Sequence, residues 1–168
     1  EVDGIAIDFE THVSERPEDH RAELRLWLRL LTCSNLIEGE IRRRLRERFA
    51  VTLPRSDLMA QLDKAQDGLS LSELSRRMMV SNGNVTGLVD RLALSGHLER
   101  HPSPTDRRSQ VIRLTALGRA EFREMAEAHE LWVADLFAGL GSDGIDALMK
   151  LLGQAKRSVQ QAREEDHL

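Results

Sequence analysis

Apolar residues recur along most of the chain at the three- and four-residue steps of a helix with one sheltered face. From about His20 to Phe49, Leu24, Leu28 and Leu31 form one stripe and Trp27, Leu30 and Ser34 a second beside it. Ile37, Ile41 and Leu45 continue at four-residue steps. The pattern predicts one long helix, and Leu26 widens its apolar arc beyond what a single neighbour covers. About 30 residues at 1.5 Å rise span ~45 Å, too long for one small domain to bury, so a second chain is the simplest cover. Thr52-Leu53-Pro54 reads as a cap and first-turn proline opening a helix to Lys64, ended by Asp67-Gly68. Ser70-x-x-Glu73 is a capping box for a short helix ending near Met78. Ser81 caps the next, whose inward stripe is Val85, Leu88, Val89 and Leu92 and whose stop is Gly96. Residues 98–101 and 110–114 read as strands around the turn-rich segment 102–108. Thr115 caps a long helix carrying Leu117, Phe122, Met125, Trp132 and Leu136, broken by Gly139, Gly141 and Gly144. A last helix follows with Ile145, Leu148, Leu152 and Ala155 inward.

The 168 residues suffice for one domain with long helical additions, and 40% hydrophobic with 31% charged residues argue against disorder. Tyrosine is absent and the aromatics are four Phe and two Trp, which favours helix over strand. No apolar run approaches the ~18 residues of a spanning helix, and the acidic opening lacks a signal-peptide pattern, so a cytoplasmic protein without a membrane partner is expected. The single cysteine, Cys33, excludes an internal disulfide and any CxxC site. The net charge of −4 is unevenly spread: residues 70–114 hold seven arginines against four acids, and residues 1–19 hold seven acids. A local basic island matters more for phosphate than the overall balance, and His97 and His101 lie within it.

Two short helices joined by a tight turn, followed by a basic hairpin, make the order of a winged helix-turn-helix. A helix entering a groove ~12 Å wide needs short polar side chains near its N-terminus. Ser81, Asn82, Asn84 and Thr86 supply them, and Gly83 permits close backbone approach. Arg107 and Arg108 sit on the hairpin tip, suited to a minor groove. Arg76 and Arg77 serve either as phosphate contacts or as a solvated face.

At these residues the sequence resembles the MarR family of transcription regulators. The resemblance rests on LSELSRRMMVSNGNVTGLVDRLALSGHLER (71–100) and DRRSQVIRLTALGRAEF (106–122). The second stretch holds an Asp-x-Arg wing signature, Asp106 and Arg108, followed by Leu114-Thr115-x-x-Gly118. The resemblance runs from about His20 to Gln161. It implies a mainly α fold: a winged helix-turn-helix with long N- and C-terminal dimerisation helices and a small β wing. Residues 1–19 would be an acidic arm and residues 20–168 a single MarR-type domain, with 20–50 and 115–168 for dimerisation and 51–114 as the winged lobe. It further implies a homodimer on a pseudo-palindromic double-stranded DNA operator, Arg108 entering the minor groove and Asp106 orienting it. It also suggests repression relieved by a small aromatic or anionic effector, such as an aromatic acid or its coenzyme A thioester. An activator, an effector-free DNA binder and a protein–protein adaptor are the alternatives.

Helical facing places Ser34, Asn35 and Glu38 with Leu58, Met59 and Leu62 around an effector pocket, with Arg42 and Arg46 as anchors for an anion. The plainer reading of the run Arg42–Arg48 is a solvated face with Glu38–Arg42 and Glu40–Arg44 pairs. Cys33 reads as a small core or pocket-lining residue rather than a sensor, because no tyrosine stands by to activate its thiolate. His129 is alone in its helix, and His97 and His101 straddle a strand, so neither a metal nor another cofactor is expected. With no phosphate loop, nucleophile elbow or ligand cluster, the chain is not expected to be an enzyme.

Overall fold

The computed structural model of the chain describes residues 10–15, 18, 21–106 and 108–165. Arg107, residues 1–9, 16, 17 and 19 of the acidic arm, residue 20 and the last three residues therefore lie outside the described residues. Two compact units divide the chain, residues 1–129 and residues 130–168.

In the first unit, α1 spans Ala22–Phe49 and buries Leu28, Thr32, Ile41 and Leu45, two four-residue steps on one side. The arm before it is partly docked: residues 10–14 form a helical turn, Val13 is buried, and Arg29 of α1 holds Glu10 at 2.9 Å. Helix α2, Leu53–Lys64, starts at the expected proline, although the Thr52 hydroxyl makes no cap bond. The fixed φ of Pro54 and its missing N–H do the work of a cap there. Strand β1, Leu69–Ser70, pairs antiparallel with the later strand over residues 110–114, placing Leu69 opposite Ile112. Gly68 enters it at φ +87°, and a Cβ there would lie 2.4 Å from Val111 Cγ1.

Ser70 ends that strand and caps α3, Leu71–Met78, in a complete capping box with Glu73. After a three-residue turn comes α4, Asn82–Leu94. The wing strands are β2, Leu98–Pro102, and β3, Gln110–Leu114, paired from Leu98↔Leu114 to Pro102↔Gln110. The sheet order β1-β3-β2 puts β3 in the centre. Between sheet and helices lies a core of fully or almost fully buried side chains: Leu58, Met59, Leu62, Leu74, Val85, Val89, Leu92, Ile112 and Leu114. Each leucine so enclosed contributes about 1.5–3 kcal/mol over exposure.

Helix α5, Ala116–Phe137, begins in the first unit and is followed by a 3-10 turn, Ala138–Leu140. In the second unit α6 covers Gly141–Glu165 and contains no buried residue. Gly144, expected among the helix breakers, instead sits inside α6. Ile145, Leu148 and Leu152, expected inward, are 42%, 37% and 39% exposed, because their stripe has too little chain of its own to pack on. With Val133, Ala134, Phe137, Leu140 and Met149 they line an apolar cavity of about 330 Å³.

Candidate nucleic-acid interface

The turn between α3 and α4 is held from inside by one side chain. Met79 turns left-handed at φ 56°, its N–H reaching the carbonyl of Arg76, and the Val80 N–H donates to the carbonyl of Ser75. The hydroxyl of Ser75, itself buried, donates to the Val80 carbonyl at 2.6 Å. Ser75 thus grips Val80 through both its backbone and its side chain, which fixes the angle at which α4 leaves. Sequence reasoning passed over it, and the only signal was a serine one turn before a helix end.

Ser81 is the cap of α4, accepting from the Asn84 N–H at 3.4 Å. Asn82, Gly83 and Asn84 are exposed, and a Cβ on Gly83 would meet nothing within 4 Å. The chain's own packing therefore does not require glycine there. Thr86 is half-buried and its hydroxyl donates to the Asn82 carbonyl at 2.8 Å, leaving the oxygen only as an acceptor. Val85, Val89 and Leu92 are buried as expected, with Leu88 only half-buried.

The wing tip is a network of short bonds. The Ser103 N–H donates to the Ser109 carbonyl at 3.0 Å, and the N–H groups of Thr105 and Asp106 reach the Ser103 hydroxyl at 3.3 Å. Asp106 Oδ1 accepts the backbone N–H of Arg108 at 2.9 Å. The acid thus shapes the loop at Arg108 through the main chain, where a grip on the guanidinium was expected. An aspartate two residues before an amide favours this local turn. Arg108 itself is exposed.

The wing is clamped to α5 at its base. Thr115 accepts the N–H of Gly118 and donates its hydroxyl to the Gly96 carbonyl at 2.7 Å, while its N–H reaches the His97 carbonyl. A Cβ on Gly118 would stand 2.2 Å from the His97 oxygen. That contact explains the Thr-x-x-Gly spacing: threonine caps the helix, and glycine lets β2 pass against it. Beside them His97 meets Ser95 through Nδ1 and Glu121 through Nε2, and Glu121 also takes Arg55 at 3.1 Å.

The basic island is partly spent internally. Arg100 pairs with Asp90, and Arg113 donates to the Asp67 carbonyl at 2.9 Å. Arg76, Arg77, Arg91 and Arg108 are exposed and, among the described residues, stand in no ion pair. Arg76 and Arg77 occupy the last turn of α3, where cations complement the helix dipole. The Ser70 N–H and hydroxyl hold the Glu73 carboxyl below the usual carboxylate range, with help from Arg77 and Arg76. Arg91, one of the island's seven arginines, had not been singled out.

The expected effector lining is not assembled as read. Leu58, Met59 and Leu62 are fully buried in the core, on the face of α2 that packs on the sheet and helices. Ser34 and Arg46 are exposed and Asn35 half-buried, while Glu38 is paired with Arg42. Arg44 meets Glu40 at 2.7 Å as expected, and Arg43 bridges Glu40 and Glu47 at 2.6 Å each. Arg43 and then Arg44 lower the Glu40 carboxyl to about 2. The plainer reading of this run therefore accounts for most of its charge. Cys33 is exposed, contrary to a core position. Among the described residues there is no group of three potential metal ligands, and no helix is long and apolar enough to cross a membrane.

Comparison with known proteins places this arrangement. The MarR family profile matches residues 51–110, the span from α2 to the start of β3. The transcriptional activatory protein BadR of Rhodopseudomonas palustris is 30% identical over 118 residues, which cover 68% of this chain and 67% of that one. A MarR family transcriptional regulator from Silicibacter pomeroyi, known as a crystal structure, is 34% identical with a TM-score of 0.64, over 81% of this chain and 94% of that one. FabT of Streptococcus pneumoniae, solved in complex with DNA, is 25% identical with a TM-score of 0.69, over 83% and 99%. The chain belongs to the MarR family of DNA-binding transcriptional regulators.

Proposed function

We propose that this chain acts as a homodimeric repressor that reads a pseudo-palindromic operator and leaves it when a small anionic effector binds. The observation that carries the reading is the exposed entry of α4. Asn82, Gly83 and Asn84 have open surroundings, the polar helix start is held at a fixed angle by Ser75, and Arg108 projects from a braced wing. Asn82, Asn84 and Thr86, with Ser81 as the cap, would face base edges and phosphates in the major groove. Arg108, and Arg107 beside it, would reach the minor groove, Asp106 shaping their loop. Arg76, Arg77 and Arg91 would meet phosphate.

Self-association is supported by apolar surface that a single chain leaves open: Leu26, Trp27 and Leu36 on α1, and Met149, Leu151 and Val159 on α6, are each 54% to 67% exposed. Contiguous apolar patches mark interaction surfaces. A dimer would set two α4 helices roughly 34–36 Å apart to meet successive major grooves. An effector then lowers DNA affinity only by its differential affinity for the two dimer states. Activation is the second reading, favoured by the name of the relative BadR; it needs the same DNA contacts at a different promoter position.

Footprinting on DNA upstream of the chain's own coding region, followed by a salt titration, tests the reading. Counterion release gives a log–log slope of about −0.9 per phosphate neutralised. Arg108→Ala should weaken operator binding by about 1–3 kcal/mol with the dimer intact. An absence of duplex binding at low salt would instead support a protein–protein adaptor.

A further inference from the structure

Helix α4 holds Gly87 in its interior, where glycine weakens a helix relative to alanine, and no left-handed φ calls for it there. The packing of the lobe does not call for it either. Among the described residues, and apart from the helix's own backbone, a Cβ at this position would meet only Nη1 of Arg91, at 3.6 Å. Helical side chains lean toward the N-terminus. Arg91 accordingly lies back over the turn that Gly87 leaves bare, which carries its guanidinium about one turn, ~5 Å, toward the entry of α4. Asn84, Gly87 and Arg91 follow at three- and four-residue steps and so share one side of the helix. The buried Val85, Val89 and Leu92 occupy the other. A larger side chain at 87 would stand between the Asn84 amide and the Arg91 guanidinium. The charge is also unspent. Asp90, the adjoining carboxylate, is taken by Arg100 of β2, and among the described residues Arg91 is exposed and stands in no ion pair.

We propose that Arg91, beyond any phosphate contact, is a specificity-determining residue that reads a guanine in each half-site of the operator. Its forked N–H groups take O6 and N7 of that base in the major groove. The inference rests on the operator reading above, in which α4 enters that groove. A guanidinium offers two parallel donors at the spacing of these acceptors, and no other base shows two acceptors there. A phosphate presents the same oxygens at every step and carries no sequence. Gly87 then has a purpose that the fold alone does not give it: it keeps the surface of α4 low so that a neighbour's guanidinium can lie at the base edges. Asn84 beside it suits an adenine, so the two side chains read nearby base pairs with different preferences.

The test is selection of duplexes from a random pool by the full chain and by Arg91→Gln, followed by affinities on the selected duplex. The wild-type chain should enrich a motif with a fixed guanine in each half-site. Replacing that guanine by a deazaguanine that lacks N7 should weaken binding about tenfold. Arg91→Gln should lose the preference or exchange it for adenine, be indifferent to the deaza base, and keep its thermal melt. Gly87→Leu, which crowds the guanidinium while favouring the helix, should lose the same preference with a melt at or above that of the wild type. If both variants still select the guanine and bind every duplex more weakly by the same factor, Arg91 is a phosphate contact; the proposal is then overturned while the operator reading stands. A wild-type motif without a guanine that responds to the deaza base has the same consequence. A wild-type chain that enriches no motif overturns both.

Discussion

In residues 1–129, Leu58, Met59, Leu62, Leu74, Val85 and Val89 are completely shielded by their own chain, and the sheet, three helices and wing close around them. In residues 130–168, α6 shields none of its residues, and Ile145, Leu148, Met149 and Leu152 remain between 37% and 67% exposed. Both regions are rich in leucine, so composition does not separate them. The difference is geometric. The lobe of the first unit folds back on itself through short turns, most of them pinned by a cap or a side-chain bond, and so covers its core. A single long helix presents a stripe and can only borrow cover from elsewhere. The lobe around that core is thus built to hold a shape by itself, whereas α6, like the Leu26, Trp27 and Leu36 surface of α1, is left open to another surface.

That contrast can be broken most severely at the clamp between wing and α5. Gly118→Ala drives a methyl group into the His97 carbonyl and should cost about 3 kcal/mol, the upper end for overpacking, read as a lowered urea midpoint at unchanged m-value. An unaltered midpoint would mean that the two backbones separate freely. The second unit should respond in the opposite way. Met149→Asp places a charge on a side chain already 67% exposed, so the folded lobe should keep its stability while self-association weakens by about tenfold or more, seen by sedimentation velocity. A smaller effect is expected for Ser75→Ala, which removes the 2.6 Å bond to Val80 and should lower stability by about 1–2 kcal/mol and weaken operator binding with it. Smallest, and of opposite sign, is Met79→Gly. The methionine is 92% exposed and left-handed, so glycine should raise stability by about 0.5–1 kcal/mol in the same titration.

The elements that announce themselves by periodicity or by capping chemistry were legible: α1 through α4, the hairpin strands, the Ser70–Glu73 box, the Ser81 cap and the Glu38–Arg42 and Glu40–Arg44 pairs. Strand β1 was not, because two residues carry no alternation, and it is seen only through its pairing with β3. The depth of a residue was the harder matter. Leu58, Met59 and Leu62 could be assigned to a helix face, but whether that face meets a pocket or a packed sheet depends on partners distant in the chain. Cys33 and the α6 leucines err in the other direction, since a helical stripe shows that a face wants cover and not that the same chain provides it. At the wing, Asp106 and Arg108 were marked by the resemblance to the family's wing signature; the bond between them, main chain instead of guanidinium, is a matter of angles that a string of letters does not hold.

The Asp106 bond to the Arg108 amide separates two properties that a carboxylate usually brings together. Closing the turn needs only an acceptor oxygen, which an asparagine would also offer, so the formal charge is surplus to the architecture. Kept beside an arginine at the tip of a ribbon, that surplus negative charge repels any polyanion drawn to the arginine. Asp106→Asn should therefore tighten the wing's proposed hold on DNA while the backbone of the turn stays as it is.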